Sequence, residues 1–187
     1  NTNKIDTIPP GINEIFGPVS FEERELIKEK YAEGREYFFC RGSTGPNSNL
    51  INLLKAFSFF KKRQKSNMML LIAGKTNEQF KQELKTFKFR NEVNLLEDLS
   101  NEETAKLTAA AYAMVHPVFY DAFATATLGA MQCKVPVLCS NTDTLTEFFD
   151  DAALYFNPED FKDIAEKMML VFKDEDMAKK LVKAGEI

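Results

Sequence analysis

Two stretches of this chain carry residue types that suit an anionic ligand. Gly42-Ser43-Thr44-Gly45-Pro46-Asn47-Ser48 is a turn-rich loop whose small residues let backbone N–H groups come close, while Ser43, Thr44 and Ser48 offer hydroxyls. Asp121-Ala122-Phe123-Ala124-Thr125 leads into a second apolar run. A carboxylate there is stabilised by about 0.3–1 kcal/mol at a helix N-terminus whether or not it meets a ligand. Arg41 and Lys75 add cations, and Thr125 and Thr127 add hydroxyls, at the same expected ligand edge. His116, the single histidine, closes an apolar run without a nucleophile elbow beside it, so it reads as a core or rim residue before a catalyst. Cys40, Cys133 and Cys139 are odd in number, lie in apolar surroundings and lack C-x2-C spacing, which points to reduced, buried thiols and away from zinc. Asp150-Asp151 and Glu159-Asp160 read as solvated turns, and no metal ligands are expected.

The elements that must position these loops alternate in type. Lys4 to Ile8 reads as a half-buried strand ended by Pro9-Pro10, and Ser20 caps a helix reaching about Tyr31, stopped by Gly34. Tyr37–Arg41 and Met68–Ala73 are continuously apolar, as strands buried on both faces of a parallel sheet are. Each is followed by a loop and a run with helical spacing, Asn49 to Phe60 and then Asn77 to Phe87, with Phe80, Leu84 and Phe87 on one face. The pattern continues as strand Val93–Leu96, helix Asn101–Ala110, strand Ala113–His116, helix Thr125–Gln132 and strand Pro136–Ser140. Helix Thr144–Phe149, strand Ala153–Phe156 and a terminal amphipathic helix Pro158–Phe172, with Met168 and Met169 as core filler, complete it. Such alternation predicts a doubly wound parallel α/β sheet, with ligands bound beyond the carboxyl ends of the strands.

Composition fits that class. A chain of 187 residues with 44% hydrophobic and 28% charged residues can enclose one full core, so a single domain over 1–187 is expected. The net charge of −4 and the lack of a broad basic face argue against nucleic acid. The cluster Lys61, Lys62, Arg63 and Lys65 is expected to be a solvated helix end. No apolar run approaches the roughly 20 residues of a membrane span, and reduced thiols suit a cytoplasmic setting. The chain opens without methionine and stops just after Gly185, which reads as a piece of a longer chain.

The order of segments resembles the carboxyl-terminal, nucleotide-sugar-binding domain of GT-B-fold glycosyltransferases of the retaining group 1 type. The likeness rests on Ile8-Pro9-Pro10-Gly11-Ile12-Asn13 with Phe16, Phe38 to Phe57, Leu70 to Gly74, Val93 to Leu96 and His116-Pro117. Its strongest block runs from Asp121-Ala122-Phe123 through Leu128, Ala130 and Met131 to Val135-Pro136-Val137, with Glu147 and Asp151 to Leu154 behind it. The resemblance implies a Rossmann-like half of a GT-B fold. It also implies donor contacts at Gly42, Ser43, Ser48, Lys75, Leu96, Phe123, Ala124, Thr125 and Gly129, with Asp121 in the catalytic position facing the transferred sugar.

Several of those positions depart from the family pattern. The usual Glu-Gly-Phe-Gly turn is Asp121-Ala122-Phe123-Ala124, the ribose-binding glutamate eight residues on is Gly129, and the usual phosphate-binding Arg and Lys are Ser43 and Ser48. Losing three charged contacts of roughly 1.5–3 kcal/mol each would weaken donor binding by on the order of a thousandfold or more, unless Arg41, Lys75 and the hydroxyls stand in.

The resemblance therefore implies a polysaccharide-building transferase with no cofactor beyond its nucleoside diphosphate sugar. It would move a hexose to a glycan or lipid-linked acceptor held by an N-terminal domain missing here, so the isolated piece would not turn over. A binding or scaffolding module that keeps the fold without the donor chemistry is the alternative. A response-regulator-like domain shares the alternation but would need an early acidic cluster that is absent.

Overall fold

The computed structural model describes residues 11–45 and 47–186, so the strand expected from Lys4 to Ile8 lies outside the described residues. Six parallel strands, β1 Tyr37–Arg41, β2 Met69–Ala73, β3 Val93–Leu96, β4 Ala113–His116, β5 Val137–Ser140 and β6 Ala153–Phe156, form one sheet in the order β3-β2-β1-β4-β5-β6. The helices are α1 Phe21–Ala32, α2 Leu50–Gln64, α3 Glu78–Leu84, α4 Asn101–Ala109, α5 Thr125–Gln132, α6 Asp143–Phe149, α7 Phe161–Lys173 and α8 Glu175–Ala184.

The apolar strands are buried on both faces because successive side chains alternate between two cores. Tyr37, Phe39, Met69 and Leu71 pack with α1, α4, α5 and α6, whereas Phe38, Cys40, Leu70 and Ile72 pack with α2, α3 and α7. Val93 to Leu96 is only half-buried, as the edge strand β3 should be.

Local signals account for most element ends. Ser20 and Ser100 accept the N–H three residues on, and Glu103 returns the bond to Ser100, a full capping box. Three expectations need correction. Helix α2 continues to Gln64, and Lys61 is buried where a solvated cation was expected: its Nζ donates to the Ser66 and Met68 carbonyls and lies 2.7 Å from Glu92. Those acceptors, supplied by chain outside α2, satisfy an amine that spacing alone leaves in water. Helix α3 stops at Leu84, short of Phe87, which enters a turn donating to the Leu84 carbonyl. The terminal helix starts at Phe161 and is followed by a second one, because Asp174 at φ −117°, ψ 91° leaves helical geometry and its carboxylate accepts the Met177 N–H to start α8.

Candidate functional site

Strand order reverses between β1 and β4, so the loops after these two strands diverge from a common crevice. The loops touch: Phe119 N–H donates to the Asn47 carbonyl at 3.0 Å. The turn before α5 and the Gly42–Ser48 loop therefore share one rim of the sheet.

The β1 loop is also tied to the loop after β2. Gly42 N–H donates to Ala73, Thr44 N–H to Lys75, Lys75 N–H to Ser43 Oγ and Asn77 N–H to Thr44 Oγ1, all at 2.9–3.1 Å. Gly74, at φ 145°, makes this crossing possible, since a Cβ there would lie 2.6 Å from the Gly42 carbonyl oxygen. Beside the crossing opens a cavity of about 390 Å3 lined by residues that include Arg41, Ser43, Lys75, Leu96, Asp98 and Asn101. Among the described residues neither Arg41 nor Lys75 forms a salt bridge, so two free cations and the Ser43 hydroxyl border one space.

Asp121 is held from three sides. Its Oδ1 accepts Phe123 N–H at 3.0 Å and Ala124 N–H at 2.9 Å, and its Oδ2 lies 2.7 Å from His116 Nε2. The His116 bond, followed by the two amides, outweighs partial burial and lowers the carboxyl from 3.8 to about 2. The same bonds sustain Ala124 at φ 51°, a left-handed conformation that alanine adopts only under local constraint. The Ala124 carbonyl accepts from Leu128 N–H and Thr127 Oγ1, and among the described residues no side chain caps the first amides of α5, which leaves them for solvent or a ligand. His116 is buried and its Nδ1 has no partner among the described residues. Nε2 is thus the ring nitrogen that meets the Asp121 carboxylate.

The expected site residues thus divide. Ser43, Lys75 and Leu96 line one cavity, with Gly42 at its crossing strand. Ser48 borders a different cavity and its hydroxyl is spent on its own turn, accepting Gly45 N–H and donating to the Gly45 carbonyl. Phe123 and Thr125 are exposed at the α5 turn, and Ala124 is buried. Gly129 faces no open space: a Cβ there would stand 3.0 Å from the ring of Phe16, which covers this face of α5. Position 129 offers a seat for an aromatic ring where the family pattern places a ribose-binding carboxylate.

The His116–Asp121 pair escaped sequence reasoning, which weighed the two residues separately. Their five-residue separation across one strand end and its following turn is the signal that links them. Asp98, in the loop after β3, and Asn101, the first residue of α4, carried no sequence signal for this cavity. Among the described residues no group of three His, Cys, Asp or Glu side chains could hold a metal, and no helix is long and apolar enough to cross a membrane.

Sheet order and helices on both faces define a doubly wound, Rossmann-like α/β domain. Residues 22–187 match the family described as Glycosyl transferases group 1, and the chain belongs to that family. It is 28% identical over 142 residues to the O-antigen chain mannosyltransferase B of Escherichia coli, covering 74% of this chain and 37% of that protein. It is 26% identical over 145 residues to the O-antigen chain mannosyltransferase RfbU of Salmonella typhimurium, covering 76% and 40%. Its backbone resembles Anabaena HepE in complex with UDP-glucose, with a TM-score of 0.82 at 14% identity over 94% of this chain and 50% of that one. The chain thus spans about two-fifths of the curated relatives it matches.

Proposed function

We propose that this chain is the donor-binding domain of a cytoplasmic hexosyltransferase, moving a hexose from a nucleoside diphosphate to a glycan or lipid-linked acceptor. An N-terminal domain would hold the acceptor, a reading supported by the greater length of the two mannosyltransferase relatives. The carrying observation is the cavity lined by Arg41, Lys75 and the Ser43 hydroxyl, where two cations outnumber the one acid, Asp98. Arg41 and Lys75 take over the charge that Ser43 and Ser48 cannot supply. Leu96 at the end of β3 would border the base. Gly42 lets the chain approach the phosphates, and the free amides at Thr125 add the positive end of α5. Phe123 flanks that turn. Asp121 faces the sugar while its hydrogen bonds hold the turn, a preorganised arrangement that stabilises the leaving diphosphate without reorganisation.

Calorimetric titration of the chain with GDP- and UDP-hexoses tests this. Saturable binding should weaken by about a hundredfold in Arg41→Ala/Lys75→Ala, the loss of two charge-assisted contacts. Binding that ignores both substitutions would sink the cavity assignment. Transfer requires the longer chain, so the isolated domain should bind donor without turnover. The Phe16 ring over Gly129 favours one second reading, a module that has lost donor chemistry. Absence of nucleotide-sugar binding by the longer protein would select it.

A further inference from the structure

A second cavity, about 360 Å3, opens on the other side of the Gly42–Ser48 loop, between the first turn of α2 and the length of α3. Its wall includes Ser48, Asn77, Gln79, Phe80, Glu83 and Phe119. Among the described residues, the Gln79 amide and the Glu83 carboxylate have no hydrogen-bond partner; nearby Lys81 pairs with Glu78 and Glu97 instead. Asn77 Oδ1 is spent on Phe80 N–H at 2.8 Å, which leaves the Asn77 NH2 free to donate. Phe119 is 43% exposed and Tyr120 beside it 60%, although the Phe119 backbone is fixed to Asn47. Two adjacent rings on one held loop offer apolar contact area next to the polar groups of the cavity wall.

The lining selects a ligand class. Among the described residues no cation borders the cavity, and the Glu83 carboxylate would repel an anion, which weighs against a phosphate or nucleotide. Amides and a carboxylate along one wall do not fit a lipid tail. A pyranose presents an apolar C–H face and hydroxyls that both donate and accept; the Phe119 ring suits the first, and Gln79, Glu83 and Asn77 suit the second. The volume lies within the usual range of small-molecule sites.

We propose that this cavity is a subsite for a hexose unit of a glycan, separate from the nucleotide-facing cavity and divided from it by one loop. Resting on the transferase reading, the assignment gives the domain a place to anchor a growing glycan next to the donor.

The test is an NMR titration of the chain with hexose oligosaccharides and, separately, with nucleotide sugars. Oligosaccharide should shift the amides of Asn77, Gln79, Glu83 and Phe119. Gln79→Ala/Glu83→Ala, two surface changes on α3, should weaken that binding by about tenfold or more, and Phe119→Ala should also weaken it. Unchanged thermal melting would show that the variants remain folded. Oligosaccharide that leaves these amides unmoved, or binds the double variant equally well, overturns the subsite. Nucleotide-sugar shifts at Ser43 and Lys75 without any glycan response overturn the subsite and leave the donor reading standing. Glycan shifts at α3 without any nucleotide-sugar response support the subsite and remove the donor reading.

Discussion

Asp121 is more than a dipole-stabilised acid, because its two oxygens are shared between two turn amides and a buried imidazole. Its carboxyl falls from 3.8 to about 2, so the anion is favoured in the folded chain. A depressed acid contributes stability that is complete above its unfolded value and is lost as pH falls through the folded one. Solvent screening of this partly exposed carboxylate discounts the full shift, so Asp121→Asn should cost about 1–2 kcal/mol at pH 6–7. The gap between wild-type and variant melting temperatures should hold constant above about pH 5 and close between about pH 4 and pH 2. A gap independent of pH across that window would show that the carboxylate's charge does not hold the turn. Both residues are plain in the sequence, but their partnership is not: His116 reads as a core residue until β4 ends at the turn that folds Asp121 back over it.

Gly74 does at the scale of elements what Asp121 does at the scale of a residue. It sits where the loops leaving β1 and β2 cross, with its N–H bonded to Leu96 of β3. Gly74→Ala would demand a positive φ and press a methyl group into the Gly42 carbonyl, so the crossing must open. A loss of about 2–4 kcal/mol follows, or roughly 5–15 °C in melting temperature for a domain of this size. Weaker nucleotide-sugar binding should accompany it, because Ser43 and Lys75 hang from the same crossing. A variant that melts like the wild type would show that the crossing carries little strain. The second terminal helix was not legible at this scale: the amphipathic run read over 158–172 ends where α7 does, and α8 follows because Asp174 caps it. Lys61 shows the same limit, since the carbonyls and the Glu92 carboxylate that satisfy it are brought in by the chain beyond α2.

Across the whole molecule, the three cysteines report on global order. Cys40 lies in one core and Cys133 and Cys139 in the other, and burial pushes their thiols to about 12, 11 and 12. The nucleophilic thiolate is scarce and enclosed at neutral pH, so alkylation of the three should proceed at one common rate set by global unfolding and become fast in denaturant. Rapid labelling of one cysteine in the folded chain would reveal a local opening that the packing does not suggest. The sequence by itself determined the α/β class, the strand positions and the loops at the carboxyl ends of the strands, because apolar runs, caps and glycines act over a few residues. The family likeness of its motif order was legible too. Only the tertiary structure decided which groups meet: the Ser43 hydroxyl with the Lys75 amide across the β1–β2 crossing, His116 with Asp121, and Phe16 over Gly129. Such contacts depend on strand order and on how loops from distant segments cross, and no local pattern of residues encodes that distance.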